Sequence, residues 1–447
     1  MKFASLPPGP PLPKIGTTAL WMKRPFELLE YCARNYGEPF SFNLFGFPRL
    51  VVVYSPEAVK HVFADDGETF AAGRFNRSLA GLLGDKSVLM LDGAEHKRHR
   101  KLLMPPFHGE RMERYGEAMM RATDHAIDRW KVGDTFALHP HTQDITLRVI
   151  VRTVFGLEEG PRFDEMCRRM KRILDLGSWP PLLVPAMQRD LGAWSPWGRF
   201  RRAVDEGDAY LFEEMRARRE AKASGKRGDD ILSLLLDAKD EDGEPMTDRE
   251  LRDELTTLLV AGHETTATAL AWAVRWTLET PGLLERVRAE IGNHPLTAKR
   301  AAELPLVDAI VREAMRLNPV IPIVGRVLER PTRVAGYDLP KDTPVVCSIY
   351  LAQRRPEVYP NPTRFNPDRF LEKKFSPSEL FPFGGGVRRC IGAAFAMYEM
   401  KIVLARLFQR ADLALAPRRA HIREQRRSIT LMPSDGLLVR YQRQLES

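Results

Sequence analysis

The sequence predicts a mainly α protein with a small β part. Apolar residues recur with helical periodicity from about residue 95 onward, at 110–131, 141–156, 161–176, 199–223, 229–238, 247–278, 281–292 and 304–317. Strand patterns are confined to 40–45 and 50–54, and to the regions around 332–347 and 427–441. The order of strands, many helices and again a few strands indicates a mostly helical architecture, and no internal repeat divides it.

Local signals mark where individual elements begin. Residues 40–45 alternate and residues 50–54 form a β-branched run, with a turn between them, which predicts two short strands. Ser55 and Pro56 then supply an N-cap and an N1 proline for a short helix. Thr247 and Glu250 form a capping box that opens the helix predicted at 247–278.

Two long segments, 71–93 and 177–198, break the helical pattern. Loops of that length in a compact domain are usually functional or mobile. The first contains several glycines and arginines, and the second is rich in proline, tryptophan and aliphatic residues. An apolar surface loop or a partner contact is the alternative interpretation of these segments.

The bulk composition is that of an ordinary globular protein. The 447 residues are 44% hydrophobic and 28% charged. Cys32, Cys167, Cys347 and Cys390 are too widely scattered for a disulfide framework or a zinc site, which fits a reducing compartment. Residues 1–14 form a proline-rich, extended segment, and no signal peptide or apolar run of about 18 residues is present. We expect a soluble, cytoplasmic protein without a transmembrane anchor.

The net charge of +9 indicates which classes of partner the protein could bind. Basic residues are spread along the chain with acids between them, rather than concentrated in one run. We therefore expect no nucleic-acid partner, and an acidic protein partner accounts for the charge more economically.

One glycine-rich stretch, residues 383–392, concentrates the chemistry. Glycines at positions 384, 385 and 386 permit turns that direct amide N–H groups toward the sulfur of Cys390, which lowers the cost of a buried thiolate. Gly392 removes a side chain where a flat cofactor would contact the start of the next helix. Arg388 supplies a cation for a carboxylate of that cofactor.

This stretch resembles the haem-binding signature of the cytochrome P450 family, Phe-x-x-Gly-x-Arg-x-Cys-x-Gly. It matches at every fixed position: Phe383, Gly386, Arg388, Cys390 and Gly392. The resemblance implies the cytochrome P450 fold as a single domain over residues 1–447, with no fused reductase. It also implies haem b (iron protoporphyrin IX) as the cofactor and Cys390 as the axial ligand of its iron. The alternative is a small buried cysteine beside a flexible loop.

A second motif, Ala261-Gly-His-Glu-Thr-Thr266, interrupts the helix predicted at 247–278 with residues that disfavour helix. Such exceptions are expected where function outweighs stability. Gly262 is expected to leave a gap beside the helix. Thr265 is expected to form its hydrogen bond in that gap and not with the carbonyl of Ala261. The motif resembles the family's Ala/Gly-Gly-x-Asp/Glu-Thr-Thr/Ser, which implies that Glu264 and Thr265 deliver protons to dioxygen.

Further residues fall on family elements that surround the cofactor. Glu313, Arg316 and Arg369 resemble the Glu-x-x-Arg and Pro-x-Arg-Phe elements, which implies a buried structural network. His96, Arg100 and Arg326 join Arg388 as the groups expected to bind the haem propionates. A solvated basic helix face is the alternative for residues 96–101. Residues expected to form an exposed basic patch for an electron donor are Lys97, Arg98, Lys101 and Arg389.

The implied activity is that of a monooxygenase, which inserts one atom of O2 into a lipophilic small molecule such as a terpenoid, fatty acid or polyketide. Electrons are expected from a separate ferredoxin or flavodoxin. The expected pocket residues, mostly aliphatic, are Leu82, Leu258, Ala261, Val320, Ile321, Ile323, Val324, Leu431 and Met432. Two alternatives remain open at this point: a peroxide-dependent peroxygenase or isomerase, which usually lacks the acid–alcohol pair, and a non-catalytic haem sensor.

Overall fold

A computed structural model describes residues 6–107, 111–179, 182, 184, 187–225, 228–417 and 421–445 of the chain. The helices are α1 (Lys14–Lys23), α2 (Pro25–Tyr36), α3 (Pro56–Ala64), α4 (Ala72–Phe75), α5 (Ala80–Leu83), α6 (Gly93–Leu103), α7 (Arg111–Ile127), α8 (His139–Phe155), α9 (Pro161–Gly177), α10 (Pro196–Ala223), α11 (Ile231–Asp237), α12 (Asp248–Glu279), α13 (Leu283–Ile291), α14 (Ala298–Glu303), α15 (Pro305–Leu317), α16 (Ile349–Ala352), α17 (Asp368–Glu372) and α18 (Ala393–Arg410). The strands are β1 (Phe40–Phe42), β2 (Leu50–Val53), β3 (Phe70–Ala71), β4 (Thr135–Ala137), β5 (Ile323–Leu328), β6 (Thr332–Val334), β7 (Tyr337–Leu339), β8 (Pro344–Ser348), β9 (Ala411–Leu415), β10 (Glu424–Arg427), β11 (Thr430–Pro433) and β12 (Leu438–Gln444).

The predicted fold class is confirmed: the chain forms a single, mainly α domain with a small β part. Each helix predicted from periodicity is present within a few residues of its expected bounds. The local caps also form, since Ser55 Oγ accepts from the Ala58 N–H at 3.3 Å and Thr247 and Glu250 cap each other. The short helix α14 and the strands β3, β4, β5 and β9 were not predicted, because elements so short carry little periodicity.

A five-stranded sheet in the order β1-β2-β8-β5-β3 anchors the N-terminal part of the chain. Strand β2 alternates its side chains between two small cores. Leu50 and Val52 pack toward α1 and α2, while Val51 and Val53 pack toward α3. The sheet therefore joins the two N-terminal helices to the strands that lead into the cysteine loop.

Helix α12 is the centre of the large hydrophobic core. It packs against α8, α15 and α18, and Trp272 on it is fully buried and donates to the Leu431 carbonyl at 2.9 Å. A Cβ atom at Gly262 would lie 2.9 Å from Ile150 Cδ1 on α8. The glycine thus permits close contact between α12 and α8. The sequence had predicted a gap beside Gly262, and this prediction is wrong because Ile150 occupies that space.

The two segments without clear periodicity differ from each other. Residues 71–93 include α4 and α5 and then a stretch of turns, 84–92, that lies along α12. In 177–198, residues 180, 181, 183, 185 and 186 lie outside the described part of the chain. Across the described ranges, no helix combines the length and apolarity required to cross a membrane.

Candidate active site

Cys390 lies in a tight loop that ends just before α18. Gly386 has a φ of +63°, and a Cβ atom there would lie 2.2 Å from the Phe63 carbonyl oxygen. The Cys390 N–H donates to the Phe383 carbonyl at 3.0 Å and closes the loop. Phe383 packs against the large core. The glycines therefore allow the loop to lie directly on α3.

The thiol of Cys390 is accessible although protein atoms surround it. The side chain is exposed, yet burial among surrounding protein atoms raises the pKa of its thiol. The Gly392 N–H and the charges of Arg100 and Arg389 oppose that rise. A Cβ atom at Gly392 would meet no atom within 4 Å. The thiol therefore keeps an accessible surface although protein atoms surround it closely enough to raise its pKa.

A cluster of cations, Arg100, Arg326 and Arg388, surrounds His96. The imidazole is buried, and burial together with Arg388, Arg100 and Arg326 lowers its pKa to about 3, so it is neutral. Arg326 is only 8% exposed, and burial lowers its pKa. Arg388 forms an ion pair with Asp92. Arg326 is buried and Arg100 is partly exposed, so the three guanidinium groups place an excess of positive charge at a largely buried site.

This arrangement fits a haem. Uncompensated buried cations are costly, so the cluster fits a ligand that carries two carboxylates, as iron protoporphyrin does. A thiolate ligand and an open space next to Gly392 complete the requirements for such a cofactor. The residues predicted to bind haem are thus brought to one place by the loop, by α6 and by β5.

Glu264 on α12 points into a polar network between α12, α8 and β10. Its Oε2 accepts from Gln143 Nε2 at 2.6 Å and from Arg427 Nε at 3.3 Å. Its Oε1 has no hydrogen-bond partner within the described residues, and His139 Nε2 lies 3.6 Å away. Burial raises the pKa of Glu264, and Arg427 and Gln143 oppose that rise.

The groups around Glu264 carry little charge apart from one arginine. Burial lowers the pKa of His139 to about 3 and that of His263 to about 4, so both imidazoles are neutral. Arg427 Nη2 also donates to Asp175 Oδ1 at 2.8 Å, and that aspartate is half exposed. Arg427 and Asp175 therefore connect the buried acid to the protein surface.

Thr265 forms the hydrogen bond to Ala261 that the sequence analysis had expected it to avoid. Its Oγ1 donates to the Ala261 carbonyl at 2.6 Å, because the carbonyl four residues back is the nearest acceptor in an unbroken helix. Consecutive residues of an α-helix point about 100° apart, so the carboxylate of Glu264 and the hydroxyl of Thr265 have separate partners. The structure places both on α12 without a direct hydrogen bond between them.

Glu313, Arg316 and Arg369 form one buried network. Glu313 accepts from Arg316 Nε at 2.7 Å and Nη2 at 2.9 Å, and from Arg369 Nε at 3.1 Å. Arg316 also donates to the carbonyls of Gln353 and Pro362, each at 2.8 Å. These contacts fix the chain between α16 and α17 against α15.

The predicted basic patch on α6 is largely neutralised by intramolecular pairs. Arg98 pairs with Glu250 at 3.0 Å and Lys97 with Asp66 at 3.4 Å. Lys101 pairs with Glu241. Arg389 is exposed, and its carbonyl accepts from Arg100 Nη1 at 2.7 Å. Only part of the expected positive surface is therefore free of an acidic neighbour.

The predicted pocket residues separate into three groups. Leu82 lines an apolar crevice between α5, α9, α10 and α12, and Ala261 on α12 is exposed. Leu258, Val320, Ile321, Ile323, Val324 and Met432 are partly buried, and of these Leu258, Val320, Ile323 and Val324 pack against the hydrophobic cores. The prediction that Leu431 lines the pocket is wrong, because this residue is 1% exposed and belongs to the core beside α1 and α2.

His139, Gln143, Arg427 and Asp92 were missed by the sequence interpretation. His139 and Gln143 are four residues apart and so lie on one face of α8, but the polar residues around them gave this pair no distinct signal. Nothing in the sequence marked Arg427 or Asp92, since each reaches its partner only through the tertiary fold.

The fold and the cysteine loop define the class: a haem-thiolate protein of mainly α architecture. The family model for cytochrome P450 matches residues 7–440. Cytochrome P450 135B1 of Mycobacterium tuberculosis is 39% identical over 97% of this chain and 91% of its own length. Cytochrome P450 135A1 of the same organism is 35% identical over 97% and 95%.

Solved structures agree with these relatives. A cyanobacterial CYP120A1 with bound retinoic acid superimposes with a TM-score of 0.85 and 27% identity, over 99% of this chain and all of that one. The haem domain of cytochrome P450DA gives a TM-score of 0.83 and 25% identity, over 99% and 98%. The chain belongs to the cytochrome P450 family and is a haem-dependent monooxygenase, an oxidoreductase that uses O2 and a redox partner.

Proposed function

We propose that this monooxygenase oxidises a lipophilic small molecule, a terpenoid, fatty acid or polyketide, with electrons from a separate ferredoxin or flavodoxin. The observation that carries the proposal is the accessible sulfur of Cys390, which lies in the loop folded on α3 and close to the cations around His96. A peroxygenase is disfavoured because α12 carries the acid and the alcohol that dioxygen chemistry needs.

Haem b is the proposed form of the cofactor, and when bound it supplies the activation of O2. Cys390 would be the axial ligand, and His96, Arg100, Arg326 and Arg388 would hold the two propionates. Arg388 lies two residues before Cys390, and Arg100 and Arg326 lie close to His96, so the cations would bind the carboxylates of the ligand whose iron the sulfur would bind. Phe383 and Gly386 hold the loop in shape.

Glu264 and Thr265 are the proposed proton-delivering pair. The raised pKa of Glu264 keeps a proton on its carboxyl group at higher pH than an exposed glutamate would hold one. The unpaired Oε1 is the atom available to pass that proton on, while Arg427 and Gln143 hold Oε2. Asp175 links the network to solvent, from which the carboxyl group can be protonated again.

The substrate class and the donor rest on the lining of the site and on its charge. The apolar side chains of Leu82, Leu258 and Ala261 on the α5 and α12 side favour a lipophilic ligand. A structurally similar protein holds retinoic acid, a lipophilic molecule. Arg389, exposed next to Cys390, favours an acidic electron donor on that side.

Replacement of Cys390 by serine tests the proposal directly. The reduced, carbon monoxide-treated protein should show a thiolate-type absorption band, and Cys390→Ser should abolish it because an alcohol does not give that ligation. Cys167→Ser is the matched control and should keep the band, since burial raises the pKa of that thiol to about 12 and leaves it protonated. Persistence of the band in Cys390→Ser, or its absence from the unaltered protein, would contradict the proposal.

Turnover assays separate the remaining alternatives. With a ferredoxin or flavodoxin system and O2, lipophilic compounds that shift the absorption spectrum should be oxygenated. Turnover with peroxide but none with O2 and donor would indicate a peroxygenase. Binding without donor-dependent oxygen uptake for every compound class would indicate a haem sensor.

A further inference from the structure

Residues 84–92, here called the strap, lie between α5 and α6 and are fastened to α12 by hydrogen bonds. The Lys86 N–H donates to Asp253 Oδ2 at 2.8 Å, and the Val88 N–H donates to Glu254 Oε1 at 2.8 Å. Thr257 Oγ1 donates to Ser87 Oγ at 2.7 Å. Three residues within about one turn of α12 therefore hold three consecutive residues of the strap.

Gly84 shows how closely the strap fits α12. Its φ is +88°, and a Cβ atom at this position would lie 2.1 Å from the carboxyl group of Asp253. A side chain here would force the strap away from the acid that binds Lys86 N–H. The contact is thus specified by backbone conformation as well as by hydrogen bonds.

The opposite side of the strap holds Arg388. Arg388 Nη1 donates to the Val88 carbonyl at 3.1 Å, and Nη2 contacts the Leu91 carbonyl and the carboxylate of Asp92. Asp92 in turn accepts from the Gly73 N–H at 2.9 Å. Val88 is therefore held by α12 through its N–H and by Arg388 through its carbonyl.

The carboxylate that holds Val88 is itself paired with a buried histidine on α6. His99 Nδ1 lies 2.7 Å from Glu254 Oε1, and His99 Nε2 lies 3.1 Å from Glu250 Oε1. Glu254 is fully buried, and its Oε2 has no hydrogen-bond partner in the described ranges. The other charged groups that face the pair are Glu250 and Asp253 on α12 and Arg98 and His96 on α6.

We infer that Glu254 and His99 are positioning residues for Arg388, and that they act through the strap. The pair fixes Val88, and the strap presents three oxygen acceptors that hold the guanidinium in its place beside His96. The inference rests on the proposed role of Arg388 as a ligand of a haem propionate. Its consequence is that haem retention depends on an acid that does not contact the haem-binding residues directly.

The protonation of the pair gives the inference a pH signature. Burial raises the pKa of Glu254 to about 7, although His99 and the Val88 N–H oppose that rise. Burial lowers the pKa of His99, but the contacts with Glu254 and Glu250 outweigh it and the pKa is raised. Both groups bind protons more tightly in the folded protein, so their contribution to the stability of this region is complete below their unfolded pKa values and is lost as pH rises through the folded values, about 7 for Glu254. Above that pH the ionised carboxylate, whose Oε2 has no hydrogen-bond partner within the described residues, is costly to bury and favours release of the strap.

The test uses the full-length holoprotein and the variant Glu254→Gln. We expect amide hydrogen exchange of the strap and transfer of haem to excess apomyoglobin each to accelerate about 10-fold. In the unaltered protein, haem transfer should accelerate as pH rises from about 6 to about 8, and the variant should lose this dependence. Glu399→Gln is the matched control, because Glu399 is also fully buried with an unpaired Oε1 but lies on α18, and it should change neither rate more than about two-fold.

A double-mutant cycle separates positioning from general destabilisation. Arg388→Gln alone should accelerate exchange of the strap, because coupling between two sites is reciprocal. In Glu254→Gln/Arg388→Gln, haem transfer should be slower than the product of the single effects predicts, by about 5-fold or more. If the two effects multiply, or if Glu254→Gln behaves as Glu399→Gln does, the inference is wrong.

A milder variant covers the case in which Glu254→Gln does not fold. His99→Asn keeps a hydrogen-bond donor near Glu254 but removes the group that lowers the pKa of this acid, so the pH dependence of haem transfer should move to higher pH. An unchanged pH dependence in His99→Asn would contradict the inference. Failure of the unaltered protein to bind haem would instead contradict the proposed function, so the two failures are distinguishable.

Discussion

Two buried glutamates, Glu313 on α15 and Glu264 on α12, face arginines in very different ways. Both oxygens of Glu313 are engaged, by Arg316 at 2.7 and 2.9 Å and by Arg369 at 3.1 Å, and Oε1 also accepts from the Asn366 N–H at 2.9 Å. Glu264 contacts one arginine, Arg427, at 3.3 Å, and its Oε1 has no partner within the described residues.

The difference separates a structural carboxylate from one that can take part in chemistry. A buried carboxylate with two cations and several donors stabilises one arrangement of the chain around it. A buried carboxyl group with an unpaired oxygen and a raised pKa can bind and release a proton at little structural cost. Full pairing at one site and incomplete pairing at the other therefore predict different mutant phenotypes.

The largest effect is expected for Glu313→Gln. Loss of the charge leaves Arg316 and Arg369 buried without their shared anion, which should lower the free energy of unfolding by about 3–5 kcal/mol and reduce haem incorporation. Urea unfolding monitored by circular dichroism and the haem content of the purified protein measure both effects. The exposed Glu285→Gln is the control and should remain within about 0.5 kcal/mol. If Glu313→Gln unfolds with the same free energy and binds as much haem as the unaltered protein, Glu313 is not a structural carboxylate.

A smaller effect of a different kind is expected for Glu264→Gln. Turnover should fall about 100-fold because the proton donor is lost, while the free energy of unfolding at neutral pH changes by less than about 1 kcal/mol or rises. Because the folded pKa of Glu264 is raised, its contribution to stability is complete below its unfolded pKa and is lost as pH rises through the folded value. The variant should lack that part of the pH dependence in urea unfolding. If the free energy of unfolding fell as much as in Glu313→Gln, Glu264 would be a structural carboxylate as well.

The smallest effect is expected for Arg427→Gln. Without the cation the pKa of Glu264 should rise further, so the alkaline limb of the pH–rate profile should move about one unit to higher pH. Steady-state turnover measured across the pH range tests this shift. Arg443→Gln, which removes an exposed partner of Asp412, is the control and should leave the profile in place. If the acid limb of the profile moved to higher pH instead of the alkaline limb, Glu264 would act in its ionised form.

Much of the fold and of the cofactor site could be predicted because their signals are local in sequence. The helix caps at Ser55 and Thr247 and the glycine-rich loop around Cys390 each depend on residues within a few positions of one another. The hydrogen-bonding partners of Glu264 could not be predicted in this way. Gln143 and Arg427 come from α8 and β10, more than 100 residues away on either side.

By itself, the sequence determined the mainly α class, the limits of the long helices and the cysteine that can ligate a haem iron, because periodicity, capping and loop chemistry act over short distances. Only the tertiary structure decided that Thr265 bonds to Ala261, that Leu431 lies in a core and that the strap connects Glu254 with Arg388. Those outcomes depend on which elements pack together. Packing brings distant residues within hydrogen-bonding range, and no local pattern encodes the partner.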